Sequence, residues 1–233
     1  MLKNTFFFLF LIVLSFCANA QGNWLRYTGG PVSEETKDAV FDSNGNLVMT
    51  GFFNGSFNTG IGTLNSSGNT DIFIIKTNDA GDPLWSVKAG GAGVDRANAI
   101  ASDNSGNTYI TGYFQGSATF GSINVTGGGW EAYAAKIDGS GNFIWVTTFG
   151  GVNGDIGHGI AVDDNGNVIV TGEYKGTATF GPDVLTSMNN STSGAATYDV
   201  FITKLNNSGN FLWTRDGNAN QDDRGLAVTT DAS

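Results

Sequence analysis

The sequence has 233 residues, with 35 glycines, three prolines, one cysteine, one histidine and a formal net charge of −10. Glycine at about twice its ordinary share, beside 40% hydrophobic and 12% aromatic residues, excludes intrinsic disorder, and the lack of a Gly-X-Y period excludes collagen. Eleven basic against 21 acidic side chains leave too little positive charge to grip a phosphate backbone, so nucleic acid is not an expected partner.

At the amino terminus Lys3 precedes an apolar run from Phe6 to Phe16, and Ala18-Asn19-Ala20 comes next as a small-residue cleavage signature. This pattern predicts a secretory signal peptide over residues 1–20, cut between Ala20 and Gln21. The run is shorter than the roughly 20 residues of a membrane span, so no membrane-spanning helix is expected. A lipoprotein signal would set a small residue directly before Cys17, where Phe16 stands. Soluble export is the expectation, to the medium or the cell surface. Cys17 is the only cysteine and leaves with the signal. The mature chain would then have no disulfide and no Cys/His zinc site, and its core alone would hold it.

An internal repeat dominates the rest of the chain. Trp24, Trp85, Trp145 and Trp213 are spaced 61, 60 and 68 residues apart, and the same marks recur between them in the same order. Gly29-Gly30, Gly90-Gly91 and Gly150-Gly151 come first. Acidic residues succeed them at Glu34, Asp95, Asp155 and Asp223, each eight positions before an aspartate: Asp42, Asp103, Asp163 and Asp231. Thr50-Gly51, Thr111-Gly112 and Thr171-Gly172 come next, then Lys76, Lys136 and Lys204, a glycine turn at Gly81, Gly141 or Gly209, and the next tryptophan. This order divides the chain into units at 21–84, 85–144 and 145–212, with a further unit beginning at 213–233. Periods of this length point to propellers, solenoids or arrays.

Each unit reads as four short strands. In the second they are predicted at Ala97–Ala101, Thr108–Phe114, Trp130–Ile137 and Phe143–Phe149, rich in β-branched and aromatic residues and bounded by Gly, Asn, Asp and Ser. Asp-x-x-Gly-Asn between two such runs is a hairpin turn, with glycine taking the positive φ and the aspartate capping its own turn. Four antiparallel strands repeated every 60 residues or so form β-propeller-type blades. The expected fold is therefore all-β, with about three and a fraction four-stranded antiparallel blades, open or truncated. Solenoid rungs are usually shorter than these units. Because propellers close with about four to eight blades, the sequence is expected to be the amino-terminal piece of a longer product; a chain ending at Ser233 would be expected to self-associate edge to edge.

The series Trp, Gly-Gly, Asp, Ala-Ile-Ala, Asp-x-x-Gly-Asn, Thr-Gly-x-Phe, Phe-Gly, Lys, Gly, Trp resembles the bacterial SBBP repeat, across residues 24–233. The resemblance is strongest in the second unit, at Gly90-Gly91, Asp95, Asp103, Gly106-Asn107, Thr111-Gly112, Phe120-Gly121, Lys136 and Trp145. The first unit departs from it, with Thr59-Gly60 in place of Phe120-Gly121 and Phe180-Gly181. The resemblance implies a propeller fold, seven-bladed in similar families, in an exported or cell-surface protein. It implies no shared catalytic residues, and fold alone does not assign function.

Several motifs bear on chemistry. The turns at Asp42, Asp103 and Asp163 concentrate oxygens over five residues and are weak calcium candidates; an EF-hand is ruled out because Phe53, Phe114 and Tyr174 stand at loop position 12. They should share one acidic rim with the turns at Asn78, Asp138 and Asn206. Gly90-Gly91-Ala92-Gly93-Val94-Asp95 opens like a calcium nonapeptide, but occurs once per unit and reads as a flexible connection. His158 corresponds to Asn98 and Lys37, which argues for a solvated rather than catalytic position. No nucleophile elbow, phosphate loop or histidine triad can be assembled, so no catalytic residue and no cofactor are expected, calcium apart. An Asn/Ser/Thr-rich insertion around Thr186–Tyr198 accounts for the 68-residue spacing and should lie opposite the Asp turns, on the face of the Gly-Gly connections. The tryptophans and the pairs Phe52-Phe53 and Tyr113-Phe114 should pack between blades. The leading expectation is a non-catalytic exported scaffold binding protein or carbohydrate partners on its loop face. The alternative is an exported polysaccharide hydrolase or lyase, which would place unit-specific acids toward the axis.

Overall fold

The computed structural model describes residues 33–188, 196–217 and 219–231; the signal peptide with Ala20 and Gln21, Trp24, Gly29-Gly30 and the middle of the insertion lie outside them. The described residues contain strands and turns and no helix, and hence no helix long and apolar enough to cross a membrane. The strands are β1 (Glu34–Phe41), β2 (Leu47–Phe53), the short β3 (Ser56–Asn58) and β4 (Thr63–Asn65), β5 (Asp71–Thr77) and β6 (Pro83–Gly91). Then come β7 (Arg96–Ser102), β8 (Thr108–Phe120), β9 (Ile123–Ile137) and β10 (Phe143–Gly151). The series ends with β11 (Ile156–Val162), β12 (Val168–Lys175), β13 (Thr177–Phe180), β14 (Asp183–Thr186), β15 (Tyr198–Leu205) and β16 (Phe211–Gly217).

Three antiparallel meanders result: β1-β2-β5-β6, β7-β8-β9-β10 and β11-β12-β15-β16. These are blades of β-propeller type. Each blade runs from first strand to fourth and is out of phase with the tryptophan spacing, because Trp85, Trp145 and Trp213 each sit in a fourth strand.

The Thr-Gly pair has a steric origin. The first strand of every blade carries a β-bulge at the same position, where the register skips Lys37, Asn98 and His158. The bulge drives a backbone carbonyl toward the second strand. A Cβ on Gly51, Gly112 or Gly172 would overlap the oxygen of Glu35, Arg96 or Ile156, so only glycine fits. The threonine beside it donates from Oγ1 to the third strand, to Phe73 at 2.8 Å, Tyr133 at 2.6 Å and Phe201 at 2.8 Å.

The second and third strands of blade two run further than their sequence suggests. Gly116 has φ of +74° and introduces a bulge, after which Ser117–Phe120 pairs with Ile123–Thr126 as a hairpin. Ala118 and Phe120 alternate inward here, and the segment has a partner: Ala89, Gly90 and Gly91 at the end of β6 pair with Phe120, Thr119 and Ala118. The end of β10 pairs likewise with β13, in the hairpin of blade three. The outer strands of blades one and two are thus each joined to the hairpin of the blade that follows. In blade one the bulky position shifts by two: Phe57 and Thr59 are buried where blade two has Ala118 and Phe120.

The core lies between blades. Ile72, Ile74, Ile110, Phe114, Phe120 and Tyr133 form one buried cluster between blades one and two. Tyr109, Phe149, Tyr174, Phe180, Phe201 and Leu205 form the next, between blades two and three. Residues 222–231 repeat on blade three the docking that β11 makes on blade two: Asp223 N donates to Tyr198 O at 2.7 Å as Asp155 N does to Trp130 O at 2.9 Å.

Candidate functional site

The Asp turns form one rim of the molecule. The Asp42 carboxylate accepts from the amides of Asn44 and Asn46 and from Asn46 Nδ2, and receives Lys76 Nζ at 2.6 Å. Asp163 repeats this with Asn165, Asn167 and Lys204 Nζ at 2.9 Å. In blade two Tyr109 takes the lysine's place, its hydroxyl donating to Asp103 at 2.9 Å, while Lys136 turns to Asn207 and lies 5.2 Å from the centre of the Tyr109 ring. Burial would raise the Asp42 and Asp163 carboxyls, but the lysines and the asparagine bonds outweigh it and hold both at about 2. Asn78, Asp138 and Asn206 cap the neighbouring hairpins through the same pair of backbone amides. All six turns share the rim. A polar cleft of about 180 Å³ opens there between blades two and three, beside Asn104, Asp164 and Asn207. The carboxylates of Asp42, Asp103 and Asp163, the calcium candidates, cap their own turns, and no group of three or more acidic, histidine or cysteine side chains able to hold a metal occurs among the described residues.

The opposite face carries the Gly-Gly connections. Asp95 Oδ2 accepts Gly91 N at 2.6 Å and Oδ1 accepts Gln115 N at 3.1 Å; Asp155 binds Gly151 N at 2.7 Å and Lys175 N at 3.2 Å. These acids clamp each connection onto the following hairpin, which is more order than a flexible linker would have. Burial pushes Asp95 up to about 6 and Asp155 up to about 7, only partly offset by the amide bonds, with the charges of Asp71 and Glu131 respectively adding to the rise. The insertion leaves from this face, since Met188 N and Thr197 Oγ1 at its flanks both bind the Asp199 carboxylate.

The repeat breaks at one place on this face. Trp130 and Tyr198 occupy the position of Thr70 in blade one, and Glu173 occupies that of Phe52 and Tyr113. Trp130 is 39% exposed and stacks on the buried Tyr113 ring, with centroids 5.0 Å apart at 27°. Glu173, buried, receives Arg224 Nε at 2.6 Å and faces His158 Nε2 at 3.6 Å. Arg224 and Lys175 both lie over the Tyr198 ring, 5.9 and 4.9 Å from its centre. Burial raises the Tyr198 phenol, with the Glu173 and Asp222 charges adding to it. His158 is thus aimed by its bulge at a buried carboxylate, a placement that its solvated equivalents Lys37 and Asn98 did not suggest. Glu173, Tyr198 and Arg224 carry no signal in the sequence pattern because they lie outside the recurring marks. The signal that does point to them is the disagreement between aligned units at these positions.

Fold, turns and inter-blade packing define a β-propeller-type repeat protein. Residues 144–173 match the family model SBBP, described as a beta-propeller repeat. The chain is also 33% identical over 112 residues to the Regulatory protein FlaEY of Caulobacter vibrioides, covering 46% of this chain and 11% of that protein. It is 31% identical over 90 residues to an uncharacterized WD repeat-containing protein of Acanthamoeba polyphaga mimivirus, covering 34% of this chain and 6% of the relative. The matched stretches are thus a small part of either relative.

Proposed function

We propose that the chain is a non-catalytic, exported repeat scaffold that binds protein or carbohydrate partners through its Gly-Gly face, at the cell surface or in the medium. The observation that carries this reading is the use of the recurring acids. In blade after blade they hold turns and connections, while the residues that differ between blades gather on one face. Likeness to stretches of a regulatory protein and a WD repeat-containing protein supports a scaffold. Export rests on the amino-terminal pattern. A glycosidase would need a carboxyl free to reach the scissile bond; Glu173 is instead buried against Arg224 and His158.

Fractionation of the producing cells, with amino-terminal sequencing of the exported chain, tests the reading. A chain beginning at Gln21 in the medium or on the surface is expected. A chain retained in the cytoplasm with Met1 in place would end the export proposal.

A further inference from the structure

We infer that the junction of Trp130, Tyr198, Glu173 and Arg224 is a binding site for a neutral oligosaccharide, with Trp130 as the surface on which one sugar ring stacks. The inference rests on the scaffold reading and names the ligand class of its loop face.

Trp130 is presented rather than merely exposed. Its inner face is covered by the buried Tyr113 ring, its carbonyl accepts Asp155 N at 2.9 Å, and its backbone bridges to Gly154. The indole is therefore held before any ligand arrives, which lowers the entropy lost on binding. The floor beside it is bare. A Cβ on Gly154 would lie 3.2 Å from the Tyr198 hydroxyl and 3.8 Å from Trp130 Cε3, so glycine leaves a shallow step between the two rings.

The rim of that step has the polar groups a pyranose needs. Its C–H face calls for an aromatic plane, and its hydroxyls for donors and acceptors close together. Arg224 and Lys175 supply donors, the Tyr198 phenol supplies both donor and acceptor, and the buried Glu173 holds Arg224 in place. Glu173 Oε2 is buried and has no hydrogen bond of good geometry, despite the approach of Arg224 Nε. Charge selects the class of sugar. The site sets Glu173 and Asp222 against Arg224 and Lys175 within a chain of net charge −10, so it offers an anionic polymer no net positive charge. A protein interface of standard size would cover about 800 Å² with an apolar centre, and here the Tyr198 ring beside the step is flanked by Lys175 and Arg224.

The test is titration of the exported chain with gluco-, manno- and xylo-configured neutral hexasaccharides, followed by tryptophan fluorescence and calorimetry. At least one should bind and perturb the fluorescence. Trp130→Ala should weaken it about tenfold or more, Trp130→Phe less, and Tyr198→Phe by a few-fold; Val184→Ala, an exposed apolar change elsewhere, should leave it intact. Melting of each variant separates lost binding from lost fold, and Trp130→Phe keeps the stack if the alanine variant unfolds. No binding by any hexasaccharide, equal binding by a folded Trp130→Ala, or preference for polygalacturonate would overturn the inference. Binding followed by release of new reducing ends would support the site and overturn the non-catalytic scaffold. Failure to bind any sugar while a surface protein is still captured would do the reverse.

Discussion

The indole nitrogen of Trp85 donates to the carbonyl oxygen of Gly139, 3.0 Å away in the next blade, and Trp145 makes the same bond to Asn207. The residue that marks the sequence period therefore also fixes the last hairpin turn of the following blade. Glycine at that turn is required twice over: Gly141 has φ of +89°, and a Cβ there would sit 3.1 Å from the Trp85 ring.

Trp145→Phe removes the donor and half of the indole that packs on Gly209 and Tyr109, leaving Asn207 O without its partner. The loss should be at least about 1 kcal/mol, a shift of a few degrees in Tm for a chain of this size. Urea denaturation reads this directly, and an unchanged midpoint would mean that the bond contributes nothing.

Two glycines should answer very differently to alanine. Gly112→Ala drives a Cβ into the Arg96 carbonyl oxygen, which is backbone and cannot swing aside, so a loss above about 3 kcal/mol is expected. Gly45→Ala meets nothing within 4 Å and bears only the strain of φ +79°, about 1–2 kcal/mol. Equal losses in the two variants would refute the bulge as the reason for the Thr-Gly pair.

The lysine partners of the Asp turns differ in burial. Side-chain exposure is 5% for Lys76 and 0% for Asp42, against 24% and 10% for Lys204 and Asp163. Lys76→Met strands a buried carboxylate and should cost about 3 kcal/mol or more. Lys204→Met should cost about 1 kcal/mol, because water reaches the exposed half of the pair. A reversed order in thermal melts would contradict the burial described.

Because backbone amides, Asn107 and Tyr109 already fill the acceptor positions of Asp103, millimolar calcium or a chelator should leave Tm unchanged. A calcium-dependent rise would show that the turns act as more than caps.

Stability should fall on both sides of about pH 4. Asp95 and Asp155 lie above the 3.8 of an unfolded aspartate, at about 6 and about 7. Between pH 4 and 7 the folded chain holds more protons than the unfolded one, so their contribution is complete below pH 4 and fades as pH rises. Asp42 and Asp163, at about 2, contribute fully above pH 4 and lose that contribution as pH falls through 2. Asp155→Asn should flatten the limb toward neutral pH. A Tm that is flat from pH 4 to 7 in the native chain would refute the buried, protonated carboxyls.

The blade plan was legible because its signals are local. Asp-x-x-Gly-Asn turns, short β-branched runs and a recurring tryptophan each reflect chemistry within a few residues. The extension of β8 and β9 was not, because the Ser117–Phe120 hairpin has its second partner in Ala89–Gly91, about thirty residues earlier in the chain. The shift from Thr59 to Phe57 in blade one is a matter of volume rather than pattern. The candidate site was the least legible part. Trp130 meets Tyr198 over Gly154 only once two blades are side by side, and Glu173 looks like any surface glutamate until Arg224 arrives from a fourth unit.

The ladder from Ala89–Gly91 to Ala118–Phe120, and its counterpart from β10 to β13, runs in one direction only. A blade offers its outer strand and its successor supplies the hairpin, so the array has a head and a tail, like interlocking roof tiles. As the chain leaves the ribosome from its amino terminus, each newly formed blade fastens the one before it. Tension between the two ends would load these fastenings in series, so the weakest coupling would set the force the array bears.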